Sequence, residues 1–280
     1  MRSDLEAYLA RAETCILTSP ASEMTPPLPE PPRGRLRVGA DLGTAYLVLV
    51  VLDEDNSPLA GEYQFAEVVR DGLVVDFIGA ADRLRAMKQR LERRLGRQLT
   101  HAASAYPPGV PQAEVRATAH VVEAAGMACS CLVEEPCAAN AVLGLQDGAI
   151  VDVGGGTTGI AILQQGQVVY TADEPTGGTH FSLVIAGALN IPFEQAEALK
   201  VNPAEQPRLF ATVRPVMEKV ASIVARHVAH HPVDALTLVG GASAFSGMAQ
   251  VVEAYTGIPT RTPTRPLFVT PLGIAMHDKG

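Results

Sequence analysis

The stretch Asp152-Val153-Gly154-Gly155-Gly156-Thr157-Thr158-Gly159 decides the fold of this 280-residue chain. It follows the apolar run Ile150–Val153 and precedes another, Ile160–Leu163, so it reads as strand, tight turn, strand. A turn so rich in glycine lets the backbone come close to an anion, and aims N–H groups and the Thr157 hydroxyl at it. Asp152, at the end of the incoming strand, is placed to hold a hydrated Mg2+. Upstream, Gly39-Ala40-Asp41-Leu42-Gly43-Thr44 repeats the pattern about 110 residues earlier and is followed by the apolar Tyr46–Leu52. Two such turns imply two similar half-domains gripping one phosphate-bearing ligand, a nucleotide.

The elements around each turn repeat as well. Leu36–Asp41, Tyr46–Leu52 and Glu62–Val69 form a β-meander, followed by a helix over 79–95 with Leu84, Met87, Leu91 and Leu95 inward and arginines outward. Ala102–Tyr106, a helix over 112–125, Cys131–Glu134 and a helix over 136–145 complete the first half. In the second half, three strands over 150–171 lead to helices at 181–189, 193–200 and 208–230, a strand at 236–239, a helix ending at Gly257 and a last helix over 271–276. This internal duplication predicts a two-lobed α/β protein.

Upstream of the first turn, residues 3–16 place Leu5, Tyr8, Leu9, Ala12 and Ile16 on one helical face. The proline-rich stretch from Ser19 to Pro32, with Pro26, Pro27, Pro29, Pro31 and Pro32, then argues against helix or central strand and for a stiff, extended linker. Residues 1–35 therefore read as a short amphipathic helix on a tether, which either folds back onto the body or docks a partner.

Bulk properties narrow the function. Hydrophobic content of 47% and charge of 19% suit a globular protein, and a net charge of −8 disfavours nucleic acid. No apolar run reaches the ~18 residues of a membrane span. The start Met-Arg-Ser-Asp-Leu-Glu lacks the apolar core of a secretory signal, which points to the cytosol. Cys15, Cys129, Cys131 and Cys137 read as free thiols, because their spacing offers no fourth ligand for zinc.

Six segments in order resemble the actin-like ATPases, the superfamily of actin, DnaK-type chaperones, sugar kinases and bacterial shape and division filaments. They are the turn at 39–44; Glu134-Glu135-Pro136-Cys137-Ala138-Ala139, similar to the first connecting helix; and the turn at 152–158. They continue with Glu197-x-x-Lys200, similar to a ribose-holding pair; Leu238-Val239-Gly240-Gly241-Ala242-Ser243, similar to the adenosine loop; and Pro271-Leu272-Gly273-Ile274-Ala275, similar to the second connecting helix. A narrower resemblance, to chaperone-like proteins of ethanolamine-utilisation operons, rests on Asp71–Phe77, Tyr106–Gly109, Val151–Ile162, Ala172–Gly178 and Ile223–His227. The resemblance implies two duplicated ribonuclease-H-like lobes around a nucleotide cleft. Residues 1–35 would precede lobe I (36–149) and lobe II (150–264), with 265–280 returning to lobe I.

It also implies ATP or ADP with Mg2+ as ligands. Asp41 and Asp152 would order waters on the metal, rather than merely capping their turns. Thr44, Thr157, Gly43, Gly154, Gly155 and Gly156 would meet phosphate. Glu135 would orient the attacking water. Glu197 and Lys200, three apart on one helix face, would reach ribose hydroxyls; the plainer reading is a solvated ion pair. Gly178, Gly241 and Ala242 would admit the base and phosphates, with Gly177 and Gly240 as turn residues beside them. Departures at Ala45 and Gly159, and the absence of a cleft lysine better than Lys88, favour ATP binding over fast hydrolysis. The implied role is an ATP-dependent chaperone or assembly switch for ethanolamine-utilisation enzymes or a microcompartment shell. A polymerising scaffold, able to form homo-oligomers, is the alternative. A small-molecule kinase and a cysteine-ligated iron–sulphur activator rank below these.

Overall fold

The structure is a computed structural model that describes residues 4–66, 69–70 and 73–280. The chain divides into two compact units. One comprises the residues up to Gly144 together with Phe268–Gly280, and the other Leu145–Leu267. Among the described residues no helix is long and apolar enough to cross a membrane.

The first unit runs through α1 (Leu5–Cys15), β1 (Ile16–Thr18), α2 (Ser19–Met24), β2 (Arg37–Leu42), β3 (Tyr46–Leu52), β4 (Pro58–Phe65), β5 (Val69–Arg70) and β6 (Leu73–Val74). It continues through α3 (Phe77–Leu95), β7 (His101–Tyr106), α4 (Gln112–Ala124), β8 (Ala128–Glu134) and α5 (Glu135–Leu143). The main sheet has the order β1-β4-β3-β2-β7-β8. The β4-β3-β2 part is antiparallel, whereas β7 and β8 add in parallel. Leu47, Leu49 and Val51 on β3 are fully buried in one cluster with Leu84, Met87, Leu91 and Leu95 of α3, the face expected from the helical period.

The second unit follows the same plan through β9 (Gly148–Val153), β10 (Thr158–Gln164), β11 (Gln167–Glu174), α6 (Gly178–Leu189), α7 (Phe193–Val201), α8 (Gln206–Val228), β12 (Leu236–Val239), α9 (Met248–Thr256) and β13 (Thr260–Arg261). Its sheet order, β11-β10-β9-β12-β13, matches β4-β3-β2-β7-β8 strand for strand. The antiparallel and parallel pairings fall in the same places. Its core joins Phe181 and Ile185 of α6 to Val213, Met217, Val220 and Val224 of α8.

The last helix, α10 (Val269–Met276), belongs to the first unit. Two glycines make its seat. A Cβ on Gly39 of β2 would press on the α10 backbone at Ala275 N, 2.6 Å away, and a Cβ on Gly273 would run into the Ala138 carbonyl of α5. Beyond α10, the buried Asp278 carboxylate accepts from Val38 N at 2.8 Å and from Ser130 Oγ, pinning the tail to β2.

The N-terminal residues take the first of the two expected courses, back onto the body, and part of the expected linker is ordered as β1 and α2. Leu5, Leu9 and Ala12 of α1 are buried, and α1 packs on β4. The strand β1 adds to the sheet edge in parallel with β4. The segment expected to exclude helix contains α2, because a proline fits the first helical turn, where its missing N–H has no partner to lose. Arginines near the end of α3 and just beyond it hold this segment down. Arg94 Nη1 donates to Cys15 O (2.9 Å), and Arg97 Nη1 donates to Pro32 O (2.9 Å) and Gly34 O (2.7 Å). Arg90 pairs at 2.5 Å with Glu62, whose carboxylate also accepts from Ser19 Oγ at 2.6 Å. Ser3, the Glu67-Val68 portion of the expected strand and the Asp71-Gly72 portion of the expected motif lie outside the described residues.

Candidate functional site

Each sheet delivers its glycine turn in the same register. On β2 and β3, Asp41 lies opposite Val48 and Leu42 opposite Leu47, and Gly43 N donates to Tyr46 O at 3.1 Å. On β9 and β10, Asp152 lies opposite Gly159 and Val153 opposite Thr158, and Gly154 N donates to Thr157 O at 3.0 Å. Asp41 and Asp152 are therefore equivalent, as are Gly43 and Gly154. Thr44 corresponds to Gly155, and Thr157 to Tyr46, so the two threonines sit at different points of the repeat. Asp41, Thr44, Asp152 and Thr157 are all half-buried.

In the second unit, segments far apart in sequence converge on the turn. Gly154 O and Gly155 O accept from Gly178 N and Thr179 N, both at 2.8 Å, which ties the turn to the first residues of α6. Gly177 and Gly178, expected as loop, are the N-cap and first residue of that helix. A Cβ on Gly177 would lie 2.8 Å from both turn carbonyls. Gly240, at φ +84°, admits the turn closely on its other side, where a Cβ would run into Asp152 Oδ1. Ala242 Cβ lies 3.1 Å from the Cβ position of Gly178. Gly241 opens the short helical turn Gly241–Ala244.

Glu197 and Lys200 of α7 meet at the same place. Lys200 Nζ donates to Glu197 Oε2 at 2.6 Å and to Gly178 O at 3.1 Å. The pair is 5% and 8% exposed, which overturns the solvated-pair reading. Burial lowers the pKa of the Lys200 ammonium from its ordinary value, and the Glu197 carboxylate opposes that shift.

Three polar residues that sequence reasoning missed complete the cluster. Ser182 Oγ donates to Glu197 Oε2 at 2.6 Å. Gln206 Nε2 donates to Lys200 O at 3.0 Å, while its Oε1 accepts from Ser246 N and Oγ. No spacing signal marks these residues: Ser182 is a lone hydroxyl between Phe181 and Leu183, Gln206 is one polar residue beside Glu205 and Arg208, and only the tertiary packing gives each its partner.

Glu135 opens α5 in the first unit, directly after β8, and is half-buried. Tyr106 pairs across the strands with Glu134. Burial, and then the Glu134 charge, raises the Tyr106 pKa. The same two causes raise the Cys137 thiol, while burial pushes Cys129 up to about 11. Burial thus favours the protonated thiol at both positions. Among the described residues no group of three or more His, Cys, Asp or Glu is arranged to hold a metal directly. Asp41 and Asp152 each place a carboxylate at the end of the strand that leads into its unit's glycine turn.

The duplicated sheets and their matched turns define an actin-like ATPase fold. A family model described as MreB/Mbl protein matches residues 61–202, and one described as Cell division protein FtsA matches 149–273. The structure of MreB5 of Spiroplasma citri bound to AMPPNP superposes with a TM-score of 0.72 at 18% identity, covering 89% of this chain and 97% of that one, a likeness of fold. Much closer is ethanolamine utilization protein EutJ of Escherichia coli strain K12, 42% identical over 91% of this chain and 89% of its own. The crystal structure of EutJ from Carboxydothermus hydrogenoformans matches with a TM-score of 0.89 at 43% identity, covering 98% of each chain. The chain belongs to the EutJ family.

Proposed function

We propose that this chain binds Mg-ATP and turns it over slowly, acting as a nucleotide-dependent switch or chaperone for the enzymes or shell of ethanolamine utilisation in the cytosol. The observation that carries the reading is the buried Glu197–Lys200 pair, joined through Gly178 to the Gly154–Gly155 turn. A ribose-type polar pair, a glycine turn and a glycine-lined loop at Gly240–Ala242 come together from four separate segments. The ethanolamine context rests on the printed name of the EutJ relatives, and the nucleotide on the AMPPNP named in the MreB5 structure.

In this reading the N–H groups of Gly155 and Gly156 and the hydroxyls of Thr44 and Thr157 meet phosphate oxygens, while Gly43 and Gly154, whose N–H groups close the hairpins, let the backbone come near them. Glu197 and Lys200 hold the ribose, Gly178, Gly241 and Ala242 admit the base, and Gly177 and Gly240 let the 154–155 turn pack closely beside them. Asp41 and Asp152 would hold the hydrated Mg2+, which neutralises phosphate charge when bound. Glu135 accepts a proton from the attacking water, or orients that water by hydrogen bonding.

Calorimetry with Mg-ATP tests the reading. The wild type should bind, and Asp152→Ala should weaken binding at least ~10-fold, about 1.4 kcal/mol. Unchanged affinity in the variant would sink the site assignment. A polymerising scaffold is the second reading, favoured by the MreB/Mbl match over 61–202. Pelleting that depends on ATP would decide for it.

A further inference from the structure

We propose that Gln206 is a positioning residue that sets the spacing between the Glu197–Lys200 pair and the Gly240–Ser243 loop. It thereby governs affinity for the nucleoside part of the ligand and leaves affinity for the phosphates alone. This inference rests on the nucleotide reading above and names a residue that reading does not use.

Gln206 is the first residue of α8 and is 5% exposed. Its amide joins two other segments. Nε2 donates at 3.0 Å to Lys200 O, in the last turn of α7, where helix carbonyls lack partners within the helix. Oε1 accepts at 3.0 Å from Ser246 N and at 2.9 Å from Ser246 Oγ. Ser246 follows the helical turn Gly241–Ala244, and that turn is fastened at both ends. Ser243 Oγ donates to Val239 O at 2.6 Å, and Phe245 N donates to Ala242 O at 3.2 Å.

Phe245, next to Ser246, is buried edge-on against Phe181 of α6, with ring centroids 5.9 Å apart. A movement of Ser246 is therefore passed to the glycine loop rather than absorbed by slack. One rigid amide thus fixes the span from Lys200 O to Ser246 N. The phosphate turn is held by bonds that Gln206 does not make, from Gly178 N and Thr179 N to the turn carbonyls, and it meets the pair through the flexible Lys200 side chain, whose Nζ donates to Gly178 O, and not through the Lys200 carbonyl that Gln206 holds. Loss of the amide would leave buried donors and acceptors unpaired on two elements at once, so they would shift to find partners.

The test is calorimetry of the full chain with Mg-ATP and, separately, with inorganic tripolyphosphate. It uses the wild type, Gln206→Ala and Gln206→Glu, with the melting temperature of each ligand-free protein recorded. Glu has the shape of Gln and keeps the acceptor for Ser246 but loses the donor to Lys200 O. It keeps the proposal open to refutation should the alanine variant not fold. The expected result is a loss of ATP affinity of about 10-fold in each folded variant, with no weakening toward tripolyphosphate. ATP affinity within about twofold of wild type would overturn the proposal, as would a parallel loss for both ligands, which marks general support of the fold. A wild type that does not bind ATP refutes the nucleotide reading itself, and is told apart from both by the unmodified protein alone.

Discussion

Lys200 shows how one residue ties this site together. An ammonium 8% exposed is costly to bury, and persists here because Glu197 Oε2 and Gly178 O take its protons at 2.6 and 3.1 Å. Removing either partner strands a charge; adding ribose hydroxyls would only supply further acceptors. A second charged group, at the surface end of β11, has a different consequence. Glu174 Oε1 lies 3.0 Å from His227 Nε2 and accepts from Arg226 Nη2 at 2.5 Å. The hydrogen bond to His227, and then the Arg226 charge, hold this carboxyl below its ordinary value of 4.5. A carboxyl with a depressed folded pKa adds stability above the unfolded value and loses it as pH falls through the folded one. Melting temperature measured from about pH 3 to about pH 7 should therefore fall on the acid side in the wild type. Glu174→Gln should flatten the part of that fall lying below 4.5, and be the less stable protein at neutral pH. Parallel curves for the two proteins would show that the contact carries no linkage.

At the scale of elements, the N-terminal strap is where pattern and packing part company. The apolar face of α1 was legible from the period of Leu5, Leu9 and Ala12. What covers that face was not, because the partner is β4, a strand about 50 residues away, and the segment after α1 is held through backbone carbonyls by Arg94 of α3 and Arg97 just beyond it. Arginines on a polar helix face look alike in sequence whether they point to water or to a strap. Proline likewise reads as a breaker unless the start of the helix is known, and Pro20 lies in the first turn of α2. Leu9 has no exposed surface. Its replacement by alanine should cost ~2–5 kcal/mol and lower the melting temperature by roughly 5 °C or more, with ATP affinity unchanged. An unchanged melting temperature would show that α1 is not seated on the sheet in solution, and would restore the docking reading of residues 1–35.

At the scale of the molecule, the duplication explains why so much was readable. Strand–turn–strand units announce themselves through β-branched runs and glycine, and both copies kept that local signature. The polar supports did not, since Ser182, Gln206 and Ser246 act only after α6, α7 and α8 have packed. The copies also diverged at single positions: Tyr46 stands where the second turn has Thr157, so matching the threonines by eye misaligns the repeat. Ligand binding lowers the free energy of the states that bind, and slows the local openings that break the binding contacts. Hydrogen exchange with and without saturating Mg-ATP should therefore show protection in a pattern that no single segment dictates. Peptides over 39–46 and 152–159 should slow, together with 176–200 and 238–246, while the strap over 5–24 keeps its exchange rate. Protection confined to one turn would mean that the duplicated element has kept its shape in the other copy and lost its ligand. Protection spread evenly over the strap as well would mean that ATP acts through general stabilisation and not through these turns.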